Sequence, residues 1–86
     1  MAEAGYQLSE HARRRIERRG IRPEWVARAL QNPDRVEIDR QDPALRHALK
    51  AILEMDRRVL RVVYNDNVKP PRIVTAHFDR RLRGTL

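Results

Sequence analysis

The chain has 86 residues, 41% of them apolar, with no cysteine and a formal charge of +7. That describes one domain near the lower size limit for unaided folding, without disulfides, thiolate nucleophiles or cysteine metal ligands. No apolar run approaches the roughly 20 residues of a membrane helix, and "MAEAGYQL" has neither the basic start nor the apolar core of a signal peptide, so a cytoplasmic protein without membrane association is expected.

Residues 1–5 are expected to be flexible, and "YQL" reads as a short first strand. Ser9 suits a helix N-cap, with Glu10 in the first turn where its charge opposes the helix dipole. That helix should run to about Arg19 and end on a left-handed Gly20. Pro23 fits the first position of a second helix, "PEWVARALQN", in which Val26, Ala29 and Leu30 fall at helical spacing. Asn32-Pro33-Asp34 stops it. "RVEID" reads as a strand with Val36 and Ile38 on one face.

"ALRHALKAILEM" stays open between helix and strand across residues 44–54. Its alanines and leucines favour helix by propensity. The turn-like "MDRR" and the β-branched "VLRVVYN" that follow favour a strand in its second half. "NDNVKPP" is a loop, "RIVTAHF" a strand, and "DRRLRGTL" a basic tail whose residues 82–86 are expected to be flexible. Alternation puts Leu60, Val62 and Tyr64 on one face, with Val74, Ala76 and Phe78 likewise inward. The opposite face receives Arg61, Thr75 and His77; His47 reads as an ordinary strand residue. The expected fold is therefore α+β, two N-terminal helices on one face of a three- to four-stranded antiparallel sheet, with a core over about residues 6–81.

The charge is concentrated at the two ends. Residues 9–22 carry net +4 and residues 69–86 net +4, while residues 23–68 are neutral, and 17 of the 19 basic residues are arginine. If the two basic segments meet, they form one cationic surface of the kind that receives a polyanion. The stretch "SEHARRRIERRGI" sharpens this. On a helical wheel Leu8, Ala12 and Ile16 form a narrow apolar stripe. His11, Arg15 and Arg19 run beside it at i, i+4 and i+8, Arg18 flanks its other side, and Arg13 and Glu17 point away. The pattern suits phosphate contacts at the edge of a buried face, and equally an amphipathic helix whose arginine stems cover the core.

"HARRRIERRGI" resembles the pattern H-A-x-x-R-[MI]-x-x-R-G-I that opens a bacterial family, the domain of unknown function 4258 (DUF4258). "PEWVARALQNPDRV" is similar to that family's second helix and N-P-D turn, and "RRVLRVVYN" with "RIVTAHFDRR" to its closing strands. The resemblance runs from about residue 7 to residue 81. It implies a RelE-like ribonuclease toxin scaffold, metal-independent RNA cleavage, and a place in a toxin–antitoxin pair. By matched position it implies His11, Arg15 and Arg19 as catalytic residues, with Thr75 and, more loosely, Arg61 on the strands; Arg18 and His77 join the phosphate-binding group by placement.

The chemistry asked of such a site is specific. The RNA 2′-OH needs a base, the phosphorane needs cations, and the leaving 5′-oxygen needs an acid. His11 suits acid or base work, Arg15 and Arg19 suit the phosphate, and Arg61, Thr75 and His77 could add from the sheet. No cofactor and no metal is expected, since three scattered histidines offer no zinc spacing and no phosphate-binding glycine loop occurs. Expected partners are RNA, messenger or structured, and an acidic antitoxin protein. The alternatives are a non-catalytic nucleic-acid- or ribosome-binding domain, or a protein-interaction module bound by an acidic partner.

Overall fold

The structure, a computed structural model, describes residues 5–86. The fraying expected over residues 1–5 therefore falls, but for Gly5, outside the described residues. The elements are β1 (Gln7–Leu8), α1 (Glu10–Arg18), α2 (Pro23–Gln31), β2 (Arg35–Ile38), β3 (Leu45–Ile52), β4 (Arg58–Asn65) and β5 (Arg72–Asp79), with 3-10 turns at Leu53–Met55 and Arg80–Leu82. The strands form one sheet in the order β1-β5-β4-β3-β2.

Both ends of α1 are set locally. The Ser9 hydroxyl accepts from the Ala12 N–H at 3.0 Å. At the other end Gly20, at φ +67°, reverses the chain. Ile21 N–H then bonds Ile16 O and Gly20 N–H bonds Glu17 O, the paired bonds of a Schellman stop. Ile16 and Ile21 both enter the core. Pro23 opens α2, where a missing N–H costs nothing. The two helices cover one face of the sheet: Ala12, Ile16, Trp25, Val26 and Ala29 pack with Ala48, Ile52, Leu60, Val62, Ile73 and Ala76. Trp25 meets Phe78 edge-on at 6.0 Å between ring centres.

The α+β architecture with two helices on one face stands as expected, but three details of the sheet differ. It has five strands and is mixed, because β1 runs parallel to β5. That strand is two residues long, too short to carry an alternation pattern, and is held by Gln7 N–H to Pro71 O and Gln7 Nε2 to Pro70 O. Second, residues 45–52 are strand throughout, not only in the second half. β3 sits between β2 and β4, with Ala48, Leu49 and Ile52 buried, and this two-sided burial outweighs the helical propensity of Ala and Leu. Third, a bulge opposite Val63 and Tyr64 shifts the alternation of β5. Ile73 therefore enters the core and Val74 is 37% exposed, where Val74 was expected inside.

The register fixes the other face of the sheet. Leu49, Arg61 and His77 form one cross-strand row. His47, Val63 and Thr75 lie on one side of it, and Ala51, Val59 and Asp79 on the other. Leu49, Val59 and Val63 are buried yet lie outside the helix-side cluster. Polar side chains stand among them as a second, thinner layer.

Candidate functional site

Arg61 is the centre of that layer. Its side chain is 12% exposed, and its donors are spent within the protein. Nε donates to Asp79 Oδ2 at 3.1 Å, and Nη2 lies 3.0 Å from the same oxygen. Nη1 donates to Glu37 Oε1 at 3.2 Å and to His47 Nδ1 at 2.7 Å. A guanidinium can only donate, so Nδ1 must be the accepting nitrogen of a neutral imidazole. The His47 proton therefore sits on Nε2 and donates to Asp39 Oδ1 at 2.7 Å. His47, with backbone N–H groups of Asp42 and Gln41, holds the Asp39 carboxyl below its ordinary value. Asp79 closes the far end: it accepts from Arg81 N, Nε and Nη2 as well as from Arg61. Arg81 first, then Arg61, hold its carboxyl down to about 2. A chain of fixed polar groups, Asp39–His47–Arg61–Asp79–Arg81, thus runs from the end of β2 across β3, β4 and β5 to the turn that follows.

His77 stands beside this chain and is different. Its ring is half-buried and makes no hydrogen bond among the described residues. Burial first, then the nearby Arg19 charge, push its pKa below the ordinary histidine value, so the ring is neutral at neutral pH. It lines two adjoining clefts. One holds Arg19, Arg58, Phe78, Asp79, Arg80 and Arg83 around it. Among the described residues that line it, the only carboxylate is Asp79, already paired; Arg83 pairs with Asp56, which leaves Arg19, Arg58 and Arg80 without a carboxylate partner and the cleft positive. The other cleft, on the β2 side, is lined by Glu37, Asp39, Gln41, His47, Arg61 and Arg81.

Arg19 joins the helix to this place. As the C-cap of α1 it donates from Nη1 to Ala76 O at 2.6 Å, one residue before His77. It also lines a third cleft, along α1, with His11, Arg14, Arg15 and Arg18. The acids of α1 are spent elsewhere: Glu10 on Arg13 and Arg14, Glu17 on Arg13. Arg15 and Arg18 have no carboxylate partner among the described residues.

The predicted residues thus fall into two groups. His11, Arg15, Arg18 and Arg19 share the α1 cleft, and Arg19 and His77 share the sheet cleft. Arg61 pairs with His77 across the strands but faces inward onto carboxylates. Thr75 lies one row away, its hydroxyl buried with no partner. His11 and His77 line no common cleft. Sequence reasoning missed Glu37, Asp39, His47 and Asp79. Their signal was the pairing register, which puts Glu37 beside His47 and Arg61 beside His77 and which alternation alone does not give.

The family model described as "Domain of unknown function (DUF4258)" matches residues 8–78, which takes in α1, Asp39, His47, Arg61 and His77 and stops just short of Asp79 and Arg81. No curated protein and no solved structure matches the chain.

Proposed function

The chain belongs to the DUF4258 family, whose description carries no activity, and from its own geometry we propose that it cleaves RNA without a metal. The observation that carries this reading is His77: an unpartnered, neutral, half-buried imidazole in a cleft that also holds four guanidinium groups. In the proposed step His77 takes the proton of a 2′-OH. The freed O2′ attacks the adjacent phosphorus, the P–O5′ bond breaks, and the 5′-oxygen takes a proton from water at the open mouth of the cleft. The products are a 2′,3′-cyclic phosphate and a 5′-hydroxyl. Arg19, anchored on Ala76 O, and the arginines after β5 offset the charge of the phosphorane. Phe78, with Arg58 5.9 Å from its ring centre, offers an aromatic wall for a base. In this reading Arg61 is a positioning residue, because its own donors are taken.

Two N-terminal helices on a mainly antiparallel sheet suit a RelE-like toxin scaffold, and cleavage of cellular RNA would place the protein in the cytoplasm. The cationic surface would then be covered, when the toxin is held inactive, by an acidic antitoxin. A second reading, RNA or ribosome binding without cleavage, is favoured by the unpaired arginines of α1. The experiment incubates wild type and His77→Gln with total RNA in EDTA and maps new 5′ ends. Cutting by wild type alone supports the enzyme. Absence of cutting by both, with salt-sensitive binding by both, would leave only the second reading.

A further inference from the structure

We infer that the groove along α1 is an extended subsite that grips the RNA backbone beyond the scissile phosphate, so the preferred ligand is a single-stranded oligonucleotide of several phosphates rather than a dinucleotide. The inference rests on the reading above for which phosphate is scissile. Its geometry stands on its own. His11, Arg14, Arg15 and Arg18 line one open groove, and Arg19 lines both that groove and the His77 cleft. Arg19 is the guanidinium common to both clefts.

The spacing suits a polyphosphate chain. His11, Arg15 and Arg19 recur every fourth residue, about 6 Å of helix axis per step, close to one nucleotide step of an extended strand. Arg14 and Arg18 recur at the same interval. A strand with its scissile phosphate at Arg19 would carry its next two phosphates past Arg15 and Arg18, and then past His11 and Arg14.

The charge pattern suits it too. A solvated amphipathic helix would distribute its acids among its bases. Here Glu17 bonds Arg13 and Glu10 bonds Arg13 and Arg14, so of the groove arginines Arg14 is paired, while Arg15 and Arg18 have no carboxylate partner among the described residues. The groove offers no exposed aromatic ring, so it reads backbone charge and carries no base preference. Base contacts would come only at the His77 end, from Phe78.

The test measures binding of 2′-O-methyl oligonucleotides of two, four and eight nucleotides, in which the nucleophile is blocked, across a salt series. Wild type should bind the tetranucleotide at least about tenfold more tightly than the dinucleotide, with little further gain at eight, as two added phosphate contacts require. In the Arg15→Ala/Arg18→Ala double variant most of this length advantage should be lost, because the strand can no longer reach the His11 end through the middle of the groove. The slope of log affinity against log salt should fall in magnitude by about 0.7, the contribution of the one single-strand phosphate that Arg15 and Arg18 flank. Arg28→Ala, a charge removed from α2 and the far side, should keep the wild-type slope. Equal slopes in wild type and the double variant would overturn the subsite, as would tighter binding of an acidic peptide than of RNA. Length-dependent binding that the double variant loses, together with no cleavage of ordinary RNA, would overturn the ribonuclease reading alone and leave the subsite standing.

Discussion

The α1 groove and the open sheet face hold the same kinds of side chain and use them in opposite ways. On α1 the arginines that line the groove are exposed, and Arg15 and Arg18 are unpaired. On the sheet Arg61 is 12% exposed and is held by His47, Glu37 and Asp79. An exposed arginine costs the fold little and is free to meet a phosphate, but its geometry is loose. A buried, multiply bonded arginine is fixed, and removing one partner leaves an uncompensated charge. The first arrangement suits binding, and the second suits holding a neighbour in place. His77 lies where they meet, between Arg19 of the helix and Arg61 of the sheet.

The largest expected effect falls on that junction. His77→Gln should lower RNA cleavage by about 10²- to 10³-fold with an unchanged far-ultraviolet spectrum, the size of a lost general base. Because burial and Arg19 lower the His77 pKa, wild-type kcat/KM should hold its plateau to a pH below the ordinary histidine value of about 6.5 before falling. An acid limb that survives unaltered in the variant would assign the titration to another group.

The next effect separates the two regions by stability. Asp79→Ala leaves Arg61 without its buried carboxylate and uncaps the Arg80–Leu82 turn. It should cost roughly 3 kcal/mol in urea unfolding. Arg15→Ala, on the exposed groove, should not move the unfolding midpoint. Equal losses from both would erase the distinction drawn above. The pH dependence follows from the same carboxylate. Its folded pKa of about 2 lies below the unfolded value of about 3.9, so folding favours the ionised form. That stability is fully present above about pH 4 and is lost as pH falls from about 4 toward about 2. Asp79→Asn should flatten the acid limb of the stability curve over that interval.

A smaller effect is expected at the hinge between the regions. Arg19→Ala removes the bond to Ala76 O and one cation of the His77 cleft. Cleavage should fall about tenfold, the scale of one charge-assisted hydrogen bond. Arg19→Lys should restore part of it, because lysine keeps the charge without the planar fork.

How much of this was legible in the sequence depends on how local its cause is. The Ser9 cap, the Gly20 stop and Pro23 at the start of α2 depend on neighbours within a few residues, and each stands where the sequence puts it. The α1 groove was legible for the same reason, since i, i+4 spacing on a helix is geometry. β3 was half legible, because its strand state comes from two partner strands that propensity does not see. The Asp39–His47–Arg61–Asp79 chain was not legible. It needs the register of β2, β3, β4 and β5 together, which alternation within a single strand does not give. Arg61 was singled out, but as a phosphate ligand. Only the register shows the carboxylates that surround it.

Thr75 tests the open face at its finest grain. Its hydroxyl is buried and unpartnered, one row from Arg61 and opposite Val63. A buried hydroxyl without a partner costs the fold, and valine has nearly its shape without the polar atom. Thr75→Val should therefore raise stability by about 1 kcal/mol, which for a domain of this size is a rise of about 4–8 °C in the melting midpoint. Cleavage measured on the same variant then says what the hydroxyl is for. A more stable protein that cuts RNA less would mean that the strand keeps a costly polar atom in reserve for substrate, and that the sheet face, for all its internal pairing, is part of the binding surface. A variant no more stable than wild type would mean that the hydroxyl already has a partner in solution, and the contrast between the spent sheet and the open helix would extend to every side chain of that face but His77.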